Sequence, residues 1–119
     1  MNDPEAPIED RGRATVLCAL GDIADPGGRA FRVGGRAPMF VIRTGAAVHG
    51  YENRCPHQGT TLDWKAHSFL TVAKTEIICA THGALFRIAD GYCFAGPCPG
   101  AALTPVAVRV EHGRVMLEA

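Results

Sequence analysis

Apolar residues in this chain come in short runs, broken every few positions by Gly, Pro, Asn or Asp. Strand-length segments with period-2 or continuous apolar patterning, bounded by such residues, read as β-strands. Residues 14–20 predict a first strand, 30–33 a second, 39–43 a third and 47–52 a fourth. Gly21 and residues 25–28 punctuate a turn between the first two, Gly34-Gly35 closes the second, and residues 44–46 turn the third into the fourth. Further strands are predicted at 75–79, 84–88 and 92–94, with Asp90-Gly91 as a two-residue hairpin signal. Residues 103–110 alternate as another strand, whose Pro105 marks an edge or a strand start. Residues 115–117 close the chain after His112-Gly113. Nine or ten short strands without a convincing amphipathic helix make the fold class all-β, sandwich-like or barrel-like.

Composition narrows the class. The 119 residues fit one domain, and 47% apolar with 20% charged residues is ordinary for a soluble globular protein. Zero formal net charge gives no reason to expect a nucleic-acid partner. The charge is uneven, because Asp3, Glu5, Glu9 and Asp10 make an acidic start. Residues 11–119 then carry 12 basic and 8 acidic side chains, a net of +4. Residues 1–13 are expected to form a frayed tail outside the core, leaving 14–119 as the domain. No apolar run reaches the ~20 residues of a membrane-spanning helix. No basic segment followed by an apolar one opens the chain, so the expectation is a cytoplasmic protein. In a reducing compartment its five cysteines are better read as ligands and core residues than as a disulfide frame.

Two of those cysteines stand in a pattern. Cys55-Pro56-His57 is C-x-H, and Cys79-Ala80-Thr81-His82 is C-x-x-H, 21 spacer residues later. Each half offers one thiolate and one imidazole, and each is launched from a predicted strand. Such a set suits a tetrahedral zinc ion, or a [2Fe–2S] cluster with two cysteines on one iron and two histidines on the other.

The flanking residues carry a resemblance. Cys55-Pro56-His57-x-Gly59 with Leu62-Asp63-Trp64, then Cys79-x-x-His82-Gly83-x-x-Phe86, resembles the Rieske [2Fe–2S] family. So do Asp90-Gly91-x-Cys93 and Gly96-Pro97-Cys98-x-Gly100-x-x-Leu103. The likeness covers roughly residues 14–118 and is greatest to small stand-alone Rieske-type ferredoxins. It implies a β-sandwich base with an inserted cluster-binding part, about residues 54–100, made of two hairpin loops and a Gly/Pro covering loop. It further implies that Cys55 and Cys79 hold the inner iron, and His57 and His82 the outer iron that takes the electron. The implied partners are an NAD(P)H-dependent reductase and a terminal oxygenase or similar redox enzyme. A fixed small subunit of a multi-component reductase and a structural zinc module are the alternatives. The chain has no room for a flavin or nicotinamide domain, nor for a separate mononuclear iron site, so it is expected to carry electrons and not to catalyse.

Departures from the family pattern bear on redox tuning. High-potential members resemble C-x-x-H-G-S-x-Y, with hydroxyls that donate to sulfur; here those positions are Ala84 and Phe86. The extra cysteine pair of those members is replaced by Gly59 and Thr81. Fewer hydrogen bonds to sulfur imply a potential toward the low end of about −150 to +300 mV. The spacer is long, with the excess placed at residues 65–73, a candidate partner footprint that includes His67. His49 and His112 are read as strand or surface residues, and Cys18 as a small buried hydrophobe. Cys93 and Cys98 are read as thiols packed near the cluster, with a disulfide as the alternative. Trp64 is read as a packing wedge. Arg54 and Arg87 are read as solvated charges or docking groups for an acidic partner.

Overall fold

The computed structural model describes residues 14–56, 61–63, 67–79, 83–96 and 100–118. Among these residues ten strands form three antiparallel sheets. β1 (Thr15–Ala19), β10 (Arg114–Leu117) and β9 (Val108–Glu111) make the first, in the order β1-β10-β9. β2 (Gly27–Phe31), β3 (Met39–Thr44), β4 (Ala47–Glu52) and β8 (Pro105–Val106) make the second, in the order β2-β3-β4-β8. The third is small: β5 (Ile77–Ile78), β6 (Leu85–Phe86) and β7 (Cys93–Ala95). A single 3-10 turn, Leu20–Asp22, follows β1. Among the described residues no helix is long and apolar enough to cross a membrane.

β3 explains how the sheets stack. Met39, Phe40, Val41 and Ile42 are all at most 1% exposed, a continuous apolar run in place of alternation. That pattern requires cover on both faces of the strand. Met39 and Val41 enter one core with Leu17, Ile23, Phe31, Val115 and Leu117, against the first sheet. Phe40 and Ile42 enter a second core with Phe69, Ile77, Cys79, Phe86 and Cys93, against the third sheet. The second sheet is therefore the middle layer, and the predicted sandwich base with an inserted subdomain is what the chain builds.

Three predicted elements differ in detail. β2 begins at Gly27, where the sequence reads as a turn. A Cβ on Gly27 would lie 2.7 Å from the Ala24 carbonyl oxygen, and one on Gly28 would lie 2.9 Å from Ile42 Cδ1. Gly27 is required by the turn at Asp25-Pro26, whose Ala24 carbonyl folds back onto it, whereas Gly28 is required by close packing inside the strand. The segment read as one strand at 103–110 splits at Ala107, because β8 pairs with β4 while β9 crosses to β10. Pro105 opens β8 on the edge of its sheet, as its missing N–H requires. The Asp90-Gly91 hairpin uses a longer turn, in which the Arg87 N–H donates to the Tyr92 carbonyl at 2.9 Å and the Gly91 N–H to the Arg87 carbonyl at 2.8 Å.

That turn is held by charge. Asp90 accepts from Arg87 Nη2 at 2.5 Å and from the Tyr92 N–H at 3.0 Å. The Arg87 hydrogen bond, then the Tyr92 N–H, holds the Asp90 carboxyl below its ordinary value. A folded-state value below the unfolded one gives a contribution present above the unfolded value and lost as pH falls through the folded one. Asp90→Asn should therefore flatten the fall of melting temperature below about pH 4, near the ordinary Asp value. The measurement is thermal unfolding from pH 6 downward, and an unchanged acid limb would refute this role.

Candidate metal centre

Each candidate ligand loop leaves a strand that is pinned at its base. At the end of β4, the Glu52 N–H donates to the Thr104 carbonyl at 2.9 Å and the Asn53 N–H to the Pro38 carbonyl at 2.8 Å. Asn53, 8% exposed, then closes the first loop on itself. Its Oδ1 accepts the Leu62 N–H at 2.9 Å, and its Nδ2 donates to Asp63 Oδ1 at 3.2 Å. Leu62 is fully buried and anchors the far end of the loop. Cys55 emerges between these clamps, 2% exposed.

The second loop is a tight turn between β5 and β6. The Cys79 N–H donates to the Ala84 carbonyl, and the Gly83 N–H donates to the Cys79 carbonyl, both at 2.9 Å. Gly83 has φ +75, which a side chain resists. Cys79, 1% exposed, packs in the same core as Cys55. The third loop is closed through Cys93, whose N–H donates to the Ala101 carbonyl at 2.8 Å and whose carbonyl accepts the Gly100 N–H at 3.1 Å. It starts at Gly96, which lies directly on the second loop: a Cβ there would be 2.7 Å from Ala84 Cα, and φ is +94. Gly96→Ala is expected to destabilise the fold by roughly 2–4 kcal/mol, from backbone overpacking plus an unfavourable φ. Chemical denaturation measures this; a loss under about 0.5 kcal/mol, the usual size of a neutral surface change, would show that the loops do not press on each other.

Of the predicted ligands, Cys55 and Cys79 are brought together in one apolar core, while His57 and His82 lie outside the described residues. The described residues alone assemble no group of three or more His, Cys, Asp or Glu side chains. The predicted tail 1–13, Trp64 and Cys98 also lie outside them. Two buried thiols in one apolar core, with Gly96 of the third loop packed against Ala84, are a donor set and a dry setting that fit an iron–sulfur cluster. Cys93 is fully buried and its thiol donates to the Ala95 carbonyl at 3.3 Å. His67 stands on the second sheet, where its Nδ1 accepts the Ala30 N–H at 3.0 Å. His49 lies within β4 opposite Ile42, and His112 occupies the β9–β10 turn. Arg54 is exposed, whereas Arg87 is taken up by Asp90 and lies 4.8 Å over the Tyr92 ring. Asn53 went unread in the sequence, because its partners Leu62 and Pro38 are distant along the chain; Gly96 was legible as part of the Gly/Pro loop, but not its contact with Ala84.

Known proteins match this architecture. The model of the Rieske [2Fe-2S] domain matches residues 13–110, and the chain belongs to that family. Its cofactor is accordingly one [2Fe–2S] cluster. The chain is similar to the Sphingomonas yanoikuyae B1 ferredoxin at 25% identity and TM-score 0.71, covering 88% of this chain and 97% of that one. It is similar at 26% identity and TM-score 0.73 to a chain in the complex of reduced oxygenase and oxidized ferredoxin in carbazole 1,9a-dioxygenase, covering 88% and 92%. The terminal oxygenase of carbazole 1,9a-dioxygenase from Novosphingobium sp. KA1 matches at 26% identity and TM-score 0.76, with 92% of this chain on 30% of that one. No curated protein matches the chain.

Proposed function

We propose that this chain is a soluble one-electron carrier, a Rieske-type ferredoxin that takes electrons from an NAD(P)H-dependent reductase and delivers them to a terminal oxygenase or similar enzyme. The observation that carries the reading is the near-complete overlap with whole ferredoxin chains, one of them from a ferredoxin–oxygenase complex, against less than a third of an oxygenase chain. When bound, the cluster supplies a single reversible electron.

Cys55 and Cys79 are assigned as the thiolate ligands of the inner iron, and His57 and His82 as the imidazole ligands of the outer iron. Both cysteines sit in the core between the second and third sheets, which excludes water from the sulfur side. The clamp at Asn53 and the Cys79–Ala84 turn fix where each loop begins and ends. Fixed loop ends would hold the two thiolates in place while a bound cluster gains or loses its electron. Residues 14–119 act as one domain, with 1–13 as an appended tail, and the protein works in the cytoplasm.

The test is iron and acid-labile sulfide analysis of anaerobically purified protein, with EPR after dithionite reduction. About two irons and two sulfides per chain, with the low average g-value of a histidine-ligated cluster, support the reading. Mixing the reduced protein with a Rieske oxygenase and following reoxidation then tests the carrier role. One zinc with no sulfide would replace it by a structural module.

A further inference from the structure

An open groove of about 580 Å³ lies between the start of β2 and the segment 67–78. Pro26, Gly27 and Gly28 form one wall, and Phe69, Leu70 and Ile78 the other. Its size falls within the roughly 300–1,000 Å³ of small-molecule sites, which pair an apolar lining with a few placed polar groups. Four lining residues carry polar side chains, His67, Ser68, Thr71 and Lys74, and of these the Thr71 hydroxyl is already given to Glu76.

Their hydrogen-bonding capacity points one way. His67 Nδ1 already accepts the Ala30 N–H, so the neutral ring carries its proton on Nε2. Among the described residues, that N–H, the Ser68 hydroxyl and the Lys74 ammonium have no protein acceptor. Among the described residues no carboxylate lines the groove. The nearest acids are committed elsewhere. Glu76 accepts from the Thr71 and Thr75 hydroxyls, and Asp25 accepts the Gly45 N–H at 2.7 Å and faces Arg43 at 4.0 Å.

The backbone gives a second, independent observation. Three non-glycine residues among those described have left-handed φ, and two of them are His67 (64°) and Lys74 (60°). Side chains resist that conformation, which recurs in turns and at functional sites, and Lys74 holds it at the end of the turn that its N–H closes on the Thr71 carbonyl at 2.8 Å. Here it falls on the imidazole and the cation of one groove.

The geometry points to a binding site for a small organic anion, with a compact apolar body against Phe69, Leu70 and Ile78 and a carboxylate received by Lys74 and the Nε2–H of His67. Ile78 adjoins Cys79 on the chain, so the occupant sits behind the second ligand loop. The site does not depend on the electron-carrier reading, because none of its residues is a proposed ligand.

2-Naphthoate and the neutral 2-naphthylmethanol are the probes, titrated into ¹⁵N-labelled holoprotein and followed by calorimetry and amide shifts. The acid should saturate at millimolar concentration or below, shift Gly27, Gly28, Leu70 and Ile78, and bind more tightly than the alcohol. Lys74→Gln should weaken the acid by up to about fivefold, the upper weight of an ion pair at an exposed lysine, and leave the alcohol unchanged. Ser68→Trp should fill the groove and abolish both while the visible spectrum persists. If that variant does not fold, the Lys74→Gln comparison decides. No saturation at millimolar acid, shifts elsewhere, an alcohol bound as tightly as the acid, or equal affinity in Lys74→Gln would each overturn the proposal.

Discussion

Cys79→Ser is expected to reduce bound iron from about two per chain to nearly none, with loss of the visible spectrum. Serine is a poor ligand for iron in a sulfur-bridged cluster, and a buried hydroxyl in that apolar core has no compensating partner. Cys55→Ser should do the same. Because cluster binding contributes to folding, both variants should also melt earlier than the parent protein. The other described cysteines are the controls. Cys93→Ser keeps a donor for the Ala95 carbonyl, which the thiol reaches at 3.3 Å, and should retain the cluster. Cys18 lies in β1 on the first sheet, and its thiol is pushed up to about 11, first by burial and then by Asp22. It is protonated at neutral pH, a state that neither attacks nor ligates, so Cys18→Ser should also leave iron content unchanged. Iron and sulfide analysis of the four variants separates the roles. Full iron in Cys79→Ser, or iron lost only in Cys93→Ser, would move the thiolate assignment.

Much of this was legible from residue types alone. β4 runs over Ala47–Glu52 and β3 over Met39–Thr44, because the turn signal at Gly45-Ala46 and the apolar runs on either side leave one register. The C-x-H and C-x-x-H halves were equally legible, since their chemistry is local. What the residues hid was longer in range. Gly27-Gly28 has the composition of a turn, and it is the pairing with Arg43 and Ile42 of β3 that makes it a strand. The spacer offered an irregular stretch, yet the fold stacks its Phe69 on Phe40 with ring centroids 4.2 Å apart. The same stretch sets His67 against β2. Asn53 reads as an ordinary polar residue until Leu62 and Pro38 close around it.

The double change Ala84→Ser with Phe86→Tyr is expected to raise the reduction potential. Both side chains are fully buried beside the second cysteine: the Ala84 carbonyl accepts the Cys79 N–H at 2.9 Å, and Phe86 pairs with Ile77 and Cys93. Neither offers a hydrogen-bond donor, so the sulfur side of the site is apolar. A hydroxyl donating to sulfur stabilises the reduced state more than the oxidised one, because reduction adds negative charge. A difference of about 1–2 kcal/mol per hydroxyl corresponds to roughly 40–90 mV for a one-electron couple. The serine adds one oxygen at Ala84, which is fully buried beside the second cysteine. The tyrosine adds its hydroxyl at the far end of a ring already packed in the core. Ala84→Ser alone should give about half the shift, and Phe86→Leu, which adds no donor, should give none. Protein-film voltammetry reads all three against the parent protein. An unmoved potential in the double variant, with the cluster intact, would mean that solvent exposure and net charge set the potential here and the missing hydroxyls do not.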